Sequence, residues 1–94
     1  MLILSQVERI SQKYAISAEA FIRSGAILSL KEKQRLLRME RFEILARYQV
    51  SDTEELIQNI KDGTAPEHPG WEDLIELKNI DHEIKEIEHD IRNL

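Results

Sequence analysis

The chain has 94 residues and a formal net charge of −5, and it contains no cysteine. This length makes one small domain, and the missing thiols exclude a disulfide framework and a thiolate metal site. The cysteine-free composition fits a cytoplasmic protein, and no apolar run approaches the length that spans a bilayer. With only three Gly and two Pro, the composition predicts an all-α protein.

Charge is divided unequally between the two halves of the chain. Residues 1–48 carry nine Lys or Arg against five Glu, a net of +4, whereas residues 49–94 carry four against thirteen acids, a net of −9. This polarity indicates either that the two halves pair with each other or that they bind two different partners. Two oppositely charged faces meeting inside one bundle explain it at least as well as an external partner does.

Residues 1–63 are predicted to form a helical, net-basic part of the chain. A first helix is expected over residues 5–14, because apolar residues in this segment and just before it recur at helical spacing. These residues are Ile3, Val7, Ile10 and Tyr14. A long central helix is expected over residues 18–48, because Ser17 can cap it and no proline interrupts it. A capping-box pattern at Ser29 allows either one continuous helix or two helices that meet there.

A short capped helix and a loop follow the central helix. The helix is predicted over residues 52–62, since Ser51 and Glu54 form a capping box and Gly63 suits the position after its end. Residues 64–70 contain both prolines of the chain. They are predicted to form a stiffened loop.

Residues 71–94 are predicted to form an acidic amphipathic helix with a coiled-coil-like heptad repeat. Its apolar positions step by three and four residues: Leu77, Ile80, Ile84, Ile87, Ile91 and Leu94. The flanking e and g positions are all acidic: Glu76, Asp81, Glu83, Glu88 and Asp90. Such a helix requires an apolar groove rimmed with Lys or Arg, supplied either by its own chain or by another protein.

We therefore assign a candidate partner-binding surface to the C-terminal helix. The assigned residues are Leu77, Ile80, Glu83, Ile84, Ile87, Glu88, Ile91 and Trp71. The apolar members would fill a groove on a protein partner, and the acidic members would meet its basic rim. The single tryptophan would anchor the loop to the core or contribute to an interface. The short chain and the apolar seam also favour a homo-oligomer.

The central helix carries a basic stripe that could contact nucleic acid. Lys31, Arg35 and Arg38 are the candidates, but interleaved glutamates favour a solvated or internally paired face. His82 and His89 lie about 10 Å apart along their helix, too far to bind one metal ion. No catalytic motif appears in the sequence. We therefore expect no enzymatic activity and no cofactor or metal.

Residues 7–30 resemble the two helices of ribbon-helix-helix antitoxins from prokaryotic toxin–antitoxin pairs. The resemblance rests on the turn at residues 14–17 and on the Ala-Phe-Ile-Arg pattern at residues 20–23. Residues 1–4 are wholly apolar where that family's DNA-reading ribbon alternates polar and basic residues.

In that family a basic N-terminal part dimerises on operator DNA, and an acidic helical C-terminal part wraps the toxin. The charge polarity of this chain has the same sense. The resemblance therefore implies an antitoxin-like protein that neutralises a basic partner through its acidic C-terminal helix. The alternative interpretation is a self-associating structural helical bundle without a toxin partner.

Overall fold

A computed structural model describes the backbone of residues 2–94 and the side chains of residues 3–94. The helices are α1 (Leu2–Lys13), α2 (Ala18–Arg47), α3 (Thr53–Lys61) and α4 (Glu67–Arg92). No strand occurs within residues 2–94. The predicted all-α class, with a long central helix and a C-terminal helix, is confirmed.

The first helix differs from the prediction in its start and in its buried face. α1 begins earlier than expected, at Leu2. Ile3 and Tyr14, which belong to the predicted apolar face, are mostly exposed, whereas Ser11 is buried. The Ser11 hydroxyl donates to the carbonyl of Glu8 at 2.9 Å, which satisfies it inside the fold. α1 packs mainly on α2, and one neighbouring helix cannot cover its whole apolar face.

α2 is one continuous helix of 30 residues, about 45 Å long. Its cap is the predicted one: the side chain of Ser17 accepts the backbone N–H of Ala20 at 3.0 Å. The helix continues through Ser29, so the capping-box pattern there does not start a second helix.

α3 begins one residue later than the predicted capping box implies. The cap is Asp52 rather than Ser51, and its carboxylate accepts the backbone N–H of Glu55 at 2.8 Å. Glu55, rather than Glu54, reaches back to the backbone N–H of Ser51 at 2.8 Å. The predicted pair, Ser51 and Glu54, and the pair Asp52 and Glu55 have the same spacing in the sequence. Asp52 forms the cap because a charged carboxylate is a stronger hydrogen-bond acceptor than a hydroxyl at a helix N-terminus.

α4 begins within the segment predicted as a loop. The helix starts at Glu67, although His68 has non-helical backbone angles and a cis peptide bond to Pro69. Gly70 is buried against α3, and a Cβ atom at this position would lie 3.2 Å from Cδ1 of Ile60. The glycine therefore allows the start of α4 to approach α3 closely.

The hydrophobic core lies where α2, α3 and α4 meet. Its buried residues are Ile44, Leu45, Leu56, Ile60, Ala65, Leu74, Leu77, Ile80 and Ile84. The Cα radius of gyration is 19.7 Å and the molecule measures 60 × 21 × 19 Å. A compact domain of this length has a radius of gyration of about 12 Å, so the chain is strongly elongated.

Candidate protein-interaction surfaces

α2 supplies the groove that the acidic helix requires. Its inward positions step by three and four residues and are buried or half-buried: Ile27, Leu30, Gln34, Leu37, Arg41, Ile44 and Tyr48. α4 lies antiparallel to them, because Gln34 Nε2 donates to the carbonyl of Ile84 at 3.2 Å, whereas Arg47 contacts Asp73 near the start of α4. The groove therefore comes from the same chain, which is one of the two possibilities that the sequence allows.

The apolar residues assigned to partner binding are core residues in this fold. Leu77, Ile80, Ile84 and Ile87 are buried, and Ile91 at the end of the seam is half-buried. Other helices of the chain already exclude water from them, so a partner could reach these residues only by displacing a helix, and their assignment to partner binding stays a prediction. Burial of each such side chain stabilises the fold by about 1.5–3 kcal/mol, which a partner displacing α2 would have to replace.

The acidic flank of α4 meets basic residues of α2 in ion pairs. The pairs are Lys33–Glu83, Arg38–Glu88 and Arg47–Asp73, each 3.4 Å between nitrogen and oxygen. Most of these side chains are half exposed, so each pair contributes about 0–1 kcal/mol. Their joint effect is to favour one register and one orientation of α4 on α2. The two oppositely charged halves of the chain thus meet within one bundle.

Asp81 joins three helices through its carboxylate. It accepts Nε of Arg41 on α2 at 2.7 Å and the hydroxyl of Thr53, the first residue of α3, at 2.8 Å. The Arg41 and Asp81 side chains are each about two-thirds buried, so this charge-assisted contact is less screened than the others. Asp81 was predicted to lie on the acidic flank of α4, whereas no sequence pattern predicted that Thr53 would donate a hydrogen bond to it.

One edge of the α2–α4 pair holds four neighbouring glutamates, and we call Glu40, Glu43, Glu76 and Glu83 the acidic edge. A side-chain hydrogen bond to Glu76, followed by burial and by the other acidic charges, raises the pKa of Glu40. Lys33 pairs with Glu83, but no cation within residues 2–94 forms an ion pair with the other three. The acidic edge is therefore an anionic surface suited to a cationic partner.

The opposite face of α2 carries exposed apolar side chains that the sequence analysis did not single out. Phe42 is 72% exposed, and Leu28, Leu36 and Met39 are also exposed. A shallow cleft of about 500 Å³ runs beside Phe42, lined by Arg35, Arg38, Met39, Phe42 and Glu43. The heptad spacing of Leu28, Met39 and Phe42 indicates a shared helix face. Apolar residues occur on all sides of α2, however, so this spacing alone does not distinguish that face from the others.

Trp71 lies near the start of α4, directly after Gly70, and is less than half exposed. Ile75, one turn further along, is largely exposed on the same helix. The side of α4 near its start therefore presents two large apolar residues, and the proposed interface role of Trp71 stays a prediction.

The basic residues considered for nucleic-acid contact do not form a free positive patch. Arg35 donates two hydrogen bonds to Glu32, at 2.7 and 2.8 Å, and Arg38 pairs with Glu88. Lys31 borders a small cleft that also contains Glu88. Acidic neighbours thus neutralise most of this stripe, which weakens its attraction for phosphates.

The described part of the chain contains neither a metal-ligand cluster nor a membrane-spanning helix. No group of three His, Asp or Glu side chains there is placed to hold a metal ion. His82 instead contacts Glu86 at 3.0 Å, and His89 contacts Asn93 at 3.2 Å. None of the helices within residues 2–94 combines the length and apolar character needed to cross a bilayer.

These features define an elongated all-α protein whose long central helix and acidic C-terminal helix pair antiparallel within one chain. The chain belongs to the family described as "Uncharacterized protein MJ0235 family", whose model matches residues 1–94. Searches of curated proteins and of solved structures gave no significant match.

Proposed function

We propose that this protein is a self-associating helical-bundle protein that acts by binding rather than by catalysis. The supporting observation is its exposed apolar surface. The chain has an accessible area of 7080 Å², whereas a compact monomer of 11.0 kDa would expose about 5,600 Å². α1 and α2 expose several large apolar side chains, among them Ile3, Leu28 and Phe42. Surface of this kind drives association in water.

Self-association is favoured over binding through the heptad seam because that seam is already filled. α4 packs on α2 and α3, and its charged flank is paired with α2. The outer sides of α1 and α2 carry most of the large apolar side chains that remain exposed, so these are the faces proposed for self-association. Another copy of the chain is always present and offers the same apolar faces.

Light scattering over a series of concentrations tests this function. We expect a mass of two or more chains at micromolar concentration, with dissociation on dilution. A mass of one chain at high micromolar concentration would contradict the proposal.

A second candidate function is an antitoxin-like protein that binds a basic partner, and the acidic edge favours it. The hydrogen bond to Glu76, burial and the neighbouring acidic charges raise the pKa of Glu40, and a Lys or Arg side chain from another protein would offset those acidic charges. The binding surface would then be this edge and not the buried seam.

Co-purification from the native host, followed by mass spectrometry, tests the antitoxin-like function. A basic protein should be retained by the unmodified chain and lost from a variant carrying Glu40→Gln and Glu76→Gln. A control variant carrying Glu54→Gln and Glu86→Gln removes two exposed acids elsewhere and should retain it. Equal retention by the two variants, or retention of no basic protein, would count against this role.

A further inference from the structure

The outward face of α2 carries a second heptad repeat, opposite the one that contacts α4. Its positions step by three and four residues, and we call them the outward stripe: Gly25, Leu28, Glu32, Arg35, Met39 and Phe42. All of these residues are exposed, so no described part of the chain covers the stripe. Its spacing is that of a helix packing against another helix.

We propose that a second copy of this chain covers the outward stripe, with the two α2 helices antiparallel about a two-fold axis at the level of residues 33 and 34. The inference deepens the self-association proposed above and rests on it. In this register Gly25 faces Phe42 of the second copy, Leu28 faces Met39, and Glu32 faces Arg35. The two-fold axis repeats each facing pair on the other side.

Side-chain size matches across this interface. Phe42 projects from α2 and is 72% exposed. A Cβ atom added at Gly25 would meet nothing within 4 Å, so the backbone there is open to an approaching ring. A large side chain thus meets the smallest one, and Leu28 meets the flexible Met39 in the adjacent layer.

Charge matches across the axis as well. Within each chain Arg35 donates two hydrogen bonds to Glu32, at 2.7 and 2.8 Å. Antiparallel packing brings the two Glu32–Arg35 pairs together, so that four charges of alternating sign surround the axis. Parallel packing would instead place each residue against its own copy, which repels at Glu32 and at Arg35.

The available area is sufficient for a stable dimer. The chain exposes 7080 Å², about 1,500 Å² more than a compact monomer of its mass. A standard interface buries about 800 Å² on each partner. The outward stripe lies on the side of α2 away from α4, so the second copy can dock without separating the helices of the core.

Disulfide trapping tests the proposed register directly, because the natural chain contains no cysteine. One variant carries Leu28→Cys and the other carries Met39→Cys. Under mild oxidation, we expect a disulfide-linked dimer when the two variants are mixed, because these positions face each other. Each variant alone should stay largely unlinked, since equivalent positions then lie about 16 Å apart along the helix.

The outcomes separate this inference from the proposed function. Linkage of the Met39→Cys variant with itself would show parallel packing and overturn the inference. Absence of linkage in the mixture, while light scattering still reports a dimer, would overturn the register and leave self-association standing. A single-chain mass for the unmodified protein would overturn both.

A substitution in the stripe provides an independent test with a matched control. Phe42→Asp should weaken the dimer by about tenfold or more, because a charge would enter an apolar interface without a partner. Ile75→Asp places the same charge at another exposed apolar site, on α4, and should leave the dimer constant unchanged. Circular dichroism should show unchanged helix content for both variants. Equal dimer constants for the two variants would contradict the proposed interface.

Discussion

At the scale of single residues, buried positions of α4 that stabilise the fold alternate with exposed positions that contribute little to its stability. Leu77 is 0% exposed in the core, whereas Ile75, two positions earlier, is 61% exposed. Leu77→Ala should lower the free energy of unfolding by about 2–5 kcal/mol, because it leaves a cavity. Ile75→Ala should change it by less than about 0.5 kcal/mol. Urea denaturation followed by circular dichroism measures both, and similar losses would contradict the burial pattern.

Tyr48 should make the stability depend on alkaline pH. Burial, followed by its hydrogen bond to Asp73, raises the pKa of Tyr48 to about 12. The folded chain therefore holds this proton more tightly than the unfolded chain, whose tyrosine pKa is about 10. The resulting stabilisation is complete below pH 10 and is lost as the pH rises toward 12.

The Tyr48→Phe variant tests this linkage. It should lose about 0.5–1.5 kcal/mol at neutral pH, because Asp73 loses a hydrogen-bond donor. It should also lose less stability than the unmodified chain on going to alkaline pH. Phenolate absorbance in a Tyr14→Phe background would measure the titration of Tyr48, and titration near the ordinary tyrosine pKa would contradict the buried hydrogen bond.

Glu40 should make the stability depend on acidic pH in the opposite sense to most carboxylates. The hydrogen bond to Glu76 is the largest cause of its raised pKa, so the folded chain binds this proton more tightly than the unfolded chain. This contribution lowers the stability as the pH rises through the raised pKa. Glu40→Gln should therefore raise the melting temperature at neutral pH, by a margin that shrinks in mild acid. Glu8→Gln is the control, and an equal rise in both variants would refute the assignment.

At the scale of the helices, the burial of α4 predicts that the other helices depend on it for their stability. A separable arm, by contrast, could be disrupted without unfolding α1–α3. Replacing Ile84 and Ile87 together with Asp places two charges in the seam without counter-ions. If α4 is a core element, circular dichroism should show loss of the cooperative transition and of most helix content. Asn79→Asp with His82→Asp introduces two charges on the exposed face of the same helix and should preserve the fold. Retention of the helix content of α1–α3 in the first variant would identify α4 as a separable arm.

At the scale of the whole molecule, stability should be distributed unevenly along the long axis. The core cluster contains residues of α2, α3 and α4 and Ala65, but none of residues 3–13, the part of α1 whose side chains are described. Local opening costs least where few buried apolar contacts are broken. Backbone amides of α1 should therefore exchange with deuterium faster than those of residues 37–48 and 74–87. Mass spectrometry of dilute protein measures this difference, and equal protection of α1 would indicate that other contacts cover it.

Local sequence patterns were sufficient to predict most of the helical segments and the kind of groove that α4 requires. Ser17 caps α2 as predicted, and the spacing of Leu77, Ile80 and Ile84 marked the buried side of α4. Capping and heptad spacing are local properties, so a short stretch of sequence contains them completely. The acidic flanks likewise showed that α4 needs basic neighbours, whichever chain provides them.

The origin of those basic neighbours depends instead on how the helices pack together. The groove for α4 is the inward face of α2 in the same chain, as the contact of Gln34 with Ile84, 50 residues away, demonstrates. The same choice leaves Phe42 and Leu28 uncovered on the other side of α2. A long helix with apolar residues around its circumference has several faces that could be buried. Which face is covered depends on contacts between distant residues, and no local pattern specifies them.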